Sequence, residues 1–107
     1  MDSLKSSIQT DIQQCKVLVY SKSYCPFAAQ AKQLLKDGGV EAKIYELDQM
    51  PNGGEIQQGL LDITGQRTVP NIFINGKHIG GCSEIEACHA KGELKTRLAE
   101  AGVANSF

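Results

Sequence analysis

The sequence predicts an α/β domain: a parallel strand pair and an antiparallel hairpin share one four-stranded mixed sheet, flanked by about five helices. Three observations carry that prediction. Val17-Leu18-Val19-Tyr20 is an apolar, β-branched run that passes through a polar turn into a helical pattern. A second strand pattern follows that helix after a short connection, which implies a right-handed βαβ unit with parallel strands. Asn75-Gly76 then separates two further strand patterns, and this dipeptide suits the two positive-φ positions of a type I′ hairpin turn.

In chain order, Leu4, Ile8 and Ile12 recur every four residues, placing one apolar stripe on a helix that starts near Asp2 or Ser3. Cys15 follows at its end and is expected to pack under the sheet. Lys16–Tyr20 reads as the first strand. The second helix is expected from Pro26 to Asp37, with Phe27, Ala31, Leu34 and Leu35 as its core-facing stripe. Gly38-Gly39 ends it. The stretch from Ala42 to Leu47 reads as the second strand, with Ile44, Tyr45 and Leu47 as its apolar content. Residues 50–54 form a loop, and a third helix from Glu55 to Thr64 turns Ile56, Leu60 and Ile63 inward. After Pro70, Asn71–Ile74 and Lys77–Ile79 make the hairpin. Ser83 reads as the N-cap of a helix carrying Ile85, Cys88 and His89; Cys88 is expected in the core and His89 partly buried. Gly92 interrupts that helix, and a last one holds Leu94 and Leu98. The tail Gly102–Phe107 is expected to be loose.

At 107 residues the chain is expected to form a single domain over 1–107. It carries 11 basic and 12 acidic residues with no basic run, so no nucleic-acid partner is expected. No apolar run approaches the ~20 residues of a membrane span, and the start Met1-Asp2-Ser3-Leu4-Lys5 lacks the n- and h-regions of a signal peptide. A cytoplasmic location with reduced thiols is the resulting expectation, and the near-neutral surface suggests a monomer. The four cysteines (Cys15, Cys25, Cys82, Cys88) have no framework spacing, and no Cys-x-x-Cys is present. His78 and His89 complete no zinc-ligand pattern, so no metal is expected.

The chemistry concentrates at Tyr24-Cys25-Pro26-Phe27-Ala28. Proline suits the first helical position, because its missing N–H is not needed there. Cys25 therefore sits just outside a helix N-terminus, where unpaired N–H groups and the positive end of the dipole favour an anion. Lys22 adds a second positive charge. The reading is a reactive thiolate at Cys25. On position alone, a small buried cysteine that happens to precede a helix stays open.

Three motifs now stand in order: Tyr24-Cys25-Pro26-Phe27, Gly65-Gln66-Arg67-Thr68-Val69-Pro70, and Ile74-Asn75-Gly76-Lys77-His78-Ile79-Gly80-Gly81-Cys82-Ser83. Together they resemble the glutaredoxins of the Cys-Pro-Tyr-Cys class, from about Leu4 to Leu98. The resemblance implies a thioredoxin-like fold and glutathione as co-substrate, with glutathionylated proteins as partners. It implies that Cys25 is the catalytic thiol, attacking a protein–glutathione mixed disulfide at the glutathione sulfur. It further implies a glutathione site. Lys22, Arg67 and Gln57 would meet the glycine carboxylate, although two solvated surface charges remain the plain alternative for Lys22 and Arg67. Thr68-Val69-Pro70 would present the backbone of Val69 to the cysteinyl part, with Pro70 cis. Gly81, Cys82, Ser83 and Glu84 would hold the γ-glutamyl end at a helix N-terminus, and Tyr24 and Phe27 would flank the sulfur.

Two departures stand out. Phe27 occupies the place of a tyrosine and keeps only the ring. Ala28 occupies the place of the second, resolving cysteine. A one-cysteine route is therefore expected, with alanine also readable as an engineered change that traps the glutathione adduct. A glutathione-ligated [2Fe–2S] carrier is the other alternative, and Pro26 argues against it, since one-cysteine relatives of that kind usually have a small residue there.

Overall fold

The β-branched run at the centre of the chain becomes the strand on which the whole sheet is built. In a computed structural model, which describes residues 2–107 and leaves Met1 outside the described residues, ten elements follow one another. They are α1 (Asp2–Gln14), β1 (Val17–Ser21), α2 (Pro26–Asp37), β2 (Lys43–Glu46), a 3₁₀ turn (Leu47–Gln49), α3 (Gly53–Thr64), β3 (Asn71–Ile74), β4 (Lys77–Gly80), α4 (Cys82–Ala90) and α5 (Glu93–Glu100). Every residue of β1 is buried, which fits a central strand covered on both faces. The sheet order is β2-β1-β3-β4. β1 pairs with β2 in parallel, Val19 opposite Ile44. It pairs with β3 antiparallel, Val19 opposite Ile72, and β3 pairs antiparallel with β4. The hairpin turn has φ of 55° at Asn75 and 77° at Gly76, the two positive values that the dipeptide suits.

Alternation along the strands sends side chains into two cores. Val17, Val19, Ile72 and Ile74 face α2, α4 and α5, where they meet Ala31, Leu35, Ile85, Leu94 and Leu98. Leu18, Tyr20 and Phe73 face α1 and α3, meeting Ile8, Ile12, Ile56 and Leu60. Leu4, Cys15 and Ile63 pack partly buried against this second core, and Cys88 is buried in the first.

Several expectations need correction. Phe27 is not on the core face of α2; it is 63% exposed, and Ala28, Ala31 and Leu35 are the buried residues instead. Neighbouring helix positions differ by about 100°, so shifting the stripe by one residue turns Phe27 outward. β2 stops at Glu46, and Leu47 is buried from the 3₁₀ turn rather than from a strand. α3 begins at Gly53, two residues early. A Cβ at Gly53 would collide with the Leu47 carbonyl oxygen, so only glycine lets the helix start so close to that turn. The N-cap of α4 is Gly81, not Ser83. His89 is exposed.

The tail is not loose. Ser106 N–H donates to Gly38 O at 2.7 Å, and Val103 N–H to Leu98 O at 2.9 Å. Phe107 packs against the first core, its ring where a Cβ on Gly38 would sit. It also meets His89 at a ring separation of 4.7 Å.

Candidate active site

The residues between β1 and α2 form a tight turn: Cys25 N–H donates to Lys22 O at 3.0 Å. Cys25 is the N-cap of α2, extended at φ −86° and ψ 117°, with Pro26 at the first helical position. Its carbonyl takes the first helical hydrogen bond, from Ala29 N–H at 3.0 Å. Its half-buried Sγ lies 3.7 Å from Val69 O. The Val69–Pro70 peptide is cis, as the resemblance implies. Among the described residues Val69 N–H has no partner within the chain. The Val69 carbonyl thus faces the sulfur, and its N–H is left unpaired among the described residues. Ala28 is fully buried beneath the first turn of α2. Tyr24, 71% exposed, and Phe27 flank the cysteine in sequence and stand out into solvent.

Asp48 is a site residue that sequence reasoning missed. It reaches from the 3₁₀ turn to the loop before Cys25, accepting Ser23 N–H at Oδ1 over 2.9 Å. The Ser23 hydroxyl donates to its other oxygen. These two hydrogen bonds hold the Asp48 carboxyl below the usual carboxylate range, with a smaller contribution from Lys22.

The segment 67–70 forms a strap over the sulfur, and side-chain amides tie it down. Gln57 Nε2 donates to Arg67 O at 2.7 Å. Gln66 Nε2 donates to Thr68 O and to Pro70 O, both at 3.0 Å. Arg67 and Thr68 are exposed, Val69 half-buried and Pro70 buried. Gln66 was not anticipated either.

The N-terminus of α4 lies alongside: a Cβ on Gly81 would stand 3.4 Å from Pro70 O. Gly81 N–H donates to Glu84 Oε1 at 2.7 Å, and the Ser83 hydroxyl to Glu84 Oε2 at 3.0 Å. These bonds, the backbone one first, lower the Glu84 carboxyl. Glu84 therefore closes the helix end, and the Ser83 hydroxyl is engaged with it. Cys82 is buried with Sγ 3.5 Å from Gln30 Oε1. Burial pushes its thiol up, and Glu86 and, more weakly, Cys25 act in the same direction. The structure thus brings Cys25, the strap and the start of α4 together. Lys22 is half-buried before the thiol, beside Asp48.

A thiol at a helix N-terminus, facing a cis-proline strap on a mixed four-stranded sheet, defines a thiol–disulfide oxidoreductase of the thioredoxin-like fold. The family model for glutaredoxin matches residues 17–79. A glutaredoxin of Ricinus communis is 52% identical over 86 residues, covering 80% of this chain and 84% of that one. The chloroplastic monothiol glutaredoxin-S12 of Arabidopsis thaliana is 47% identical over 104 residues, 96% of this chain; the chain spans 58% of that longer relative. The crystal structure of the buckwheat glutaredoxin–glutathione complex superposes with a TM-score of 0.91 at 40% identity, covering 94% of this chain and 92% of that one. The chain belongs to the glutaredoxin family and is an enzyme, a glutathione-dependent disulfide oxidoreductase.

Proposed function

We propose that this protein reduces protein–glutathione mixed disulfides through Cys25 alone. The observation that carries the reading is the pairing of a thiol at the N-cap of α2, 3.7 Å from Val69 O, with a fully buried alanine at position 28. In the first step Cys25 thiolate attacks the glutathione sulfur. The mixed disulfide breaks, the protein thiolate leaves and takes up a proton, and Cys25 now carries glutathione. In the second step a free glutathione thiolate attacks that glutathione sulfur. Oxidised glutathione departs and the Cys25 thiolate returns. No second protein thiol enters the cycle. The monothiol relative in Arabidopsis is consistent with this route.

Glutathione occupies the groove between the strap and α4. Val69 N–H and C=O pair with its cysteinyl part in the manner of an added strand. Lys22 and Arg67 meet the glycine carboxylate. Gln57 is spent through its nitrogen on Arg67 O, which leaves its oxygen for ordering that end. Gly81 N–H is taken by Glu84, so the N–H groups of Cys82 and Ser83 in the first turn of α4 take the γ-glutamyl carboxylate. Tyr24 and Phe27 border the sulfur and face the incoming protein. The buckwheat complex supports glutathione as the ligand.

The test is steady-state turnover of a glutathionylated peptide and of an intramolecular protein disulfide at equal glutathione. Turnover of the peptide, with the protein disulfide reduced at least tenfold more slowly, is the expected result. Cys25→Ser is expected to abolish both. Activity surviving in that variant, or comparable rates on the two substrates, would refute the monothiol assignment.

A further inference from the structure

We propose that Gln66 is a positioning residue for the reaction, setting the strap so that the backbone of Val69 is held open to substrate. The inference rests on the proposed glutathione reading and concerns the same groove.

The carboxamide nitrogen of Gln66 stands 3.0 Å from both Thr68 O and Pro70 O. A primary amide nitrogen carries two hydrogens, one for each carbonyl. The reverse amide orientation would set an oxygen against two oxygens, so this one is enforced. The base of the residue is also fixed: Gln66 N–H donates to Thr64 Oγ1 at 3.0 Å, and the Thr64 hydroxyl donates to Leu60 O at 2.8 Å in α3. The clamp is therefore anchored to a helix rather than to a mobile loop.

The pattern of occupied carbonyls carries the argument. Arg67 O is taken by Gln57, and Thr68 O and Pro70 O by Gln66. The carbonyl between these last two, that of Val69, instead faces Cys25 Sγ at 3.7 Å. Tying the flanking peptides in one direction points the Val69 peptide in the other. The same nitrogen lies 3.8 Å from where a Cβ on Gly81 would be, so the clamp stands between the strap and the start of α4. Loss of the clamp does not touch the turn and the helix start that hold Cys25. It frees the strap to rotate its peptide groups, which weakens capture of the glutathionyl moiety.

The experiment compares wild type with Gln66→Met, which keeps the length but has no donor, and Gln66→Glu, which sets a carboxylate against two carbonyls. Readouts are kcat and KM for a glutathionylated peptide, the rate of Cys25 alkylation by iodoacetamide at fixed pH, and the thermal midpoint. KM is expected to rise roughly five- to tenfold in Gln66→Met, the scale of losing a net hydrogen bond, and further in Gln66→Glu. The alkylation rate and kcat should stay within about twofold. Should Gln66→Met fail to fold, Gln66→Asn, whose amide is too short to span both carbonyls, carries the same test. An unchanged KM in a folded variant overturns the proposal. So does a fall in kcat and alkylation rate that tracks lost stability. A wild-type protein without glutathionyl turnover would instead sink the underlying functional reading, which keeps the two failures apart.

Discussion

At the residue scale, the loop that presents Cys25 is held by a contact between positions 25 apart. Asp48 receives both the backbone N–H and the hydroxyl of Ser23, and Ser23 lies two residues before the thiol. A carboxylate lowered by hydrogen bonds contributes stability that is present above its unfolded pKa and lost as pH falls through its folded one. Here the folded carboxyl lies below the ordinary value, so the window is the acid side of about 3.9. Asp48→Asn is therefore expected to lower the urea midpoint at pH 7. The gap from wild type should narrow as the pH drops to 3 and below. Equal gaps at both pH values would mean that shape, not charge, holds the loop. Alkylation of Cys25 in the same variant reads whether the turn, rather than the helix alone, sets the sulfur.

At the element scale, α3 is the piece that joins core to site. Gln57 on α3 and Gln66 just past its end hold the strap, and its start is pressed onto the 3₁₀ turn that bears Asp48. Adjacent glycines there should respond with opposite signs. Gly53→Ala drives a methyl into the Leu47 backbone, which cannot swing aside, and is expected to cost about 1–3 kcal/mol in urea unfolding. Gly54→Ala meets nothing within 4 Å and is expected to be neutral or to stabilise by up to ~1 kcal/mol. This contrast also marks what was legible in the sequence. The bounds of α2 and β3 and the Asn75-Gly76 turn were readable, because local chemistry writes them: proline at a first helical position, paired glycines at an end, two positive-φ residues between strands. The cysteine and its strap were readable from family motifs. Asp48 and Gln66 were not, because a polar contact between elements leaves no periodicity. Phe27 misled because four apolar residues at helical spacing fit two stripes, and only the sheet beneath decides that the small Ala28 faces in. The ordered tail was hidden for a similar reason. The partner of Phe107 is the absence of a side chain at Gly38.

At the scale of the whole molecule, the sheet divides the apolar interior into two clusters that share no residue, and the site draws on both. The face with α2, α4 and α5 carries the thiol and the start of α4. The face with α1 and α3 carries the strap. Leu98 is fully buried in the first, and Leu60, 1% exposed, in the second. Truncating either to alanine removes a well-packed side chain and leaves a cavity, a cost of about 2–5 kcal/mol. With the sheet between them and no shared neighbours in the clusters, the two losses should add to within roughly 0.5 kcal/mol. A chain of this size has only about 5–15 kcal/mol to lose, so Leu60→Ala/Leu98→Ala, losing about 4–10 kcal/mol, should have a far lower urea midpoint than either single variant. Urea titration of the four proteins checks this. A double variant markedly more stable than the sum predicts would mean that the two faces communicate through β1 and β3. In the folded single variants the kinetic consequences should separate by face. Leu60→Ala is expected to raise KM for the glutathionylated peptide, because Leu60 lies on the helix that anchors the Gln66 clamp. Leu98→Ala is expected to leave KM near wild type, because α5 supports the site only through the packing of α4.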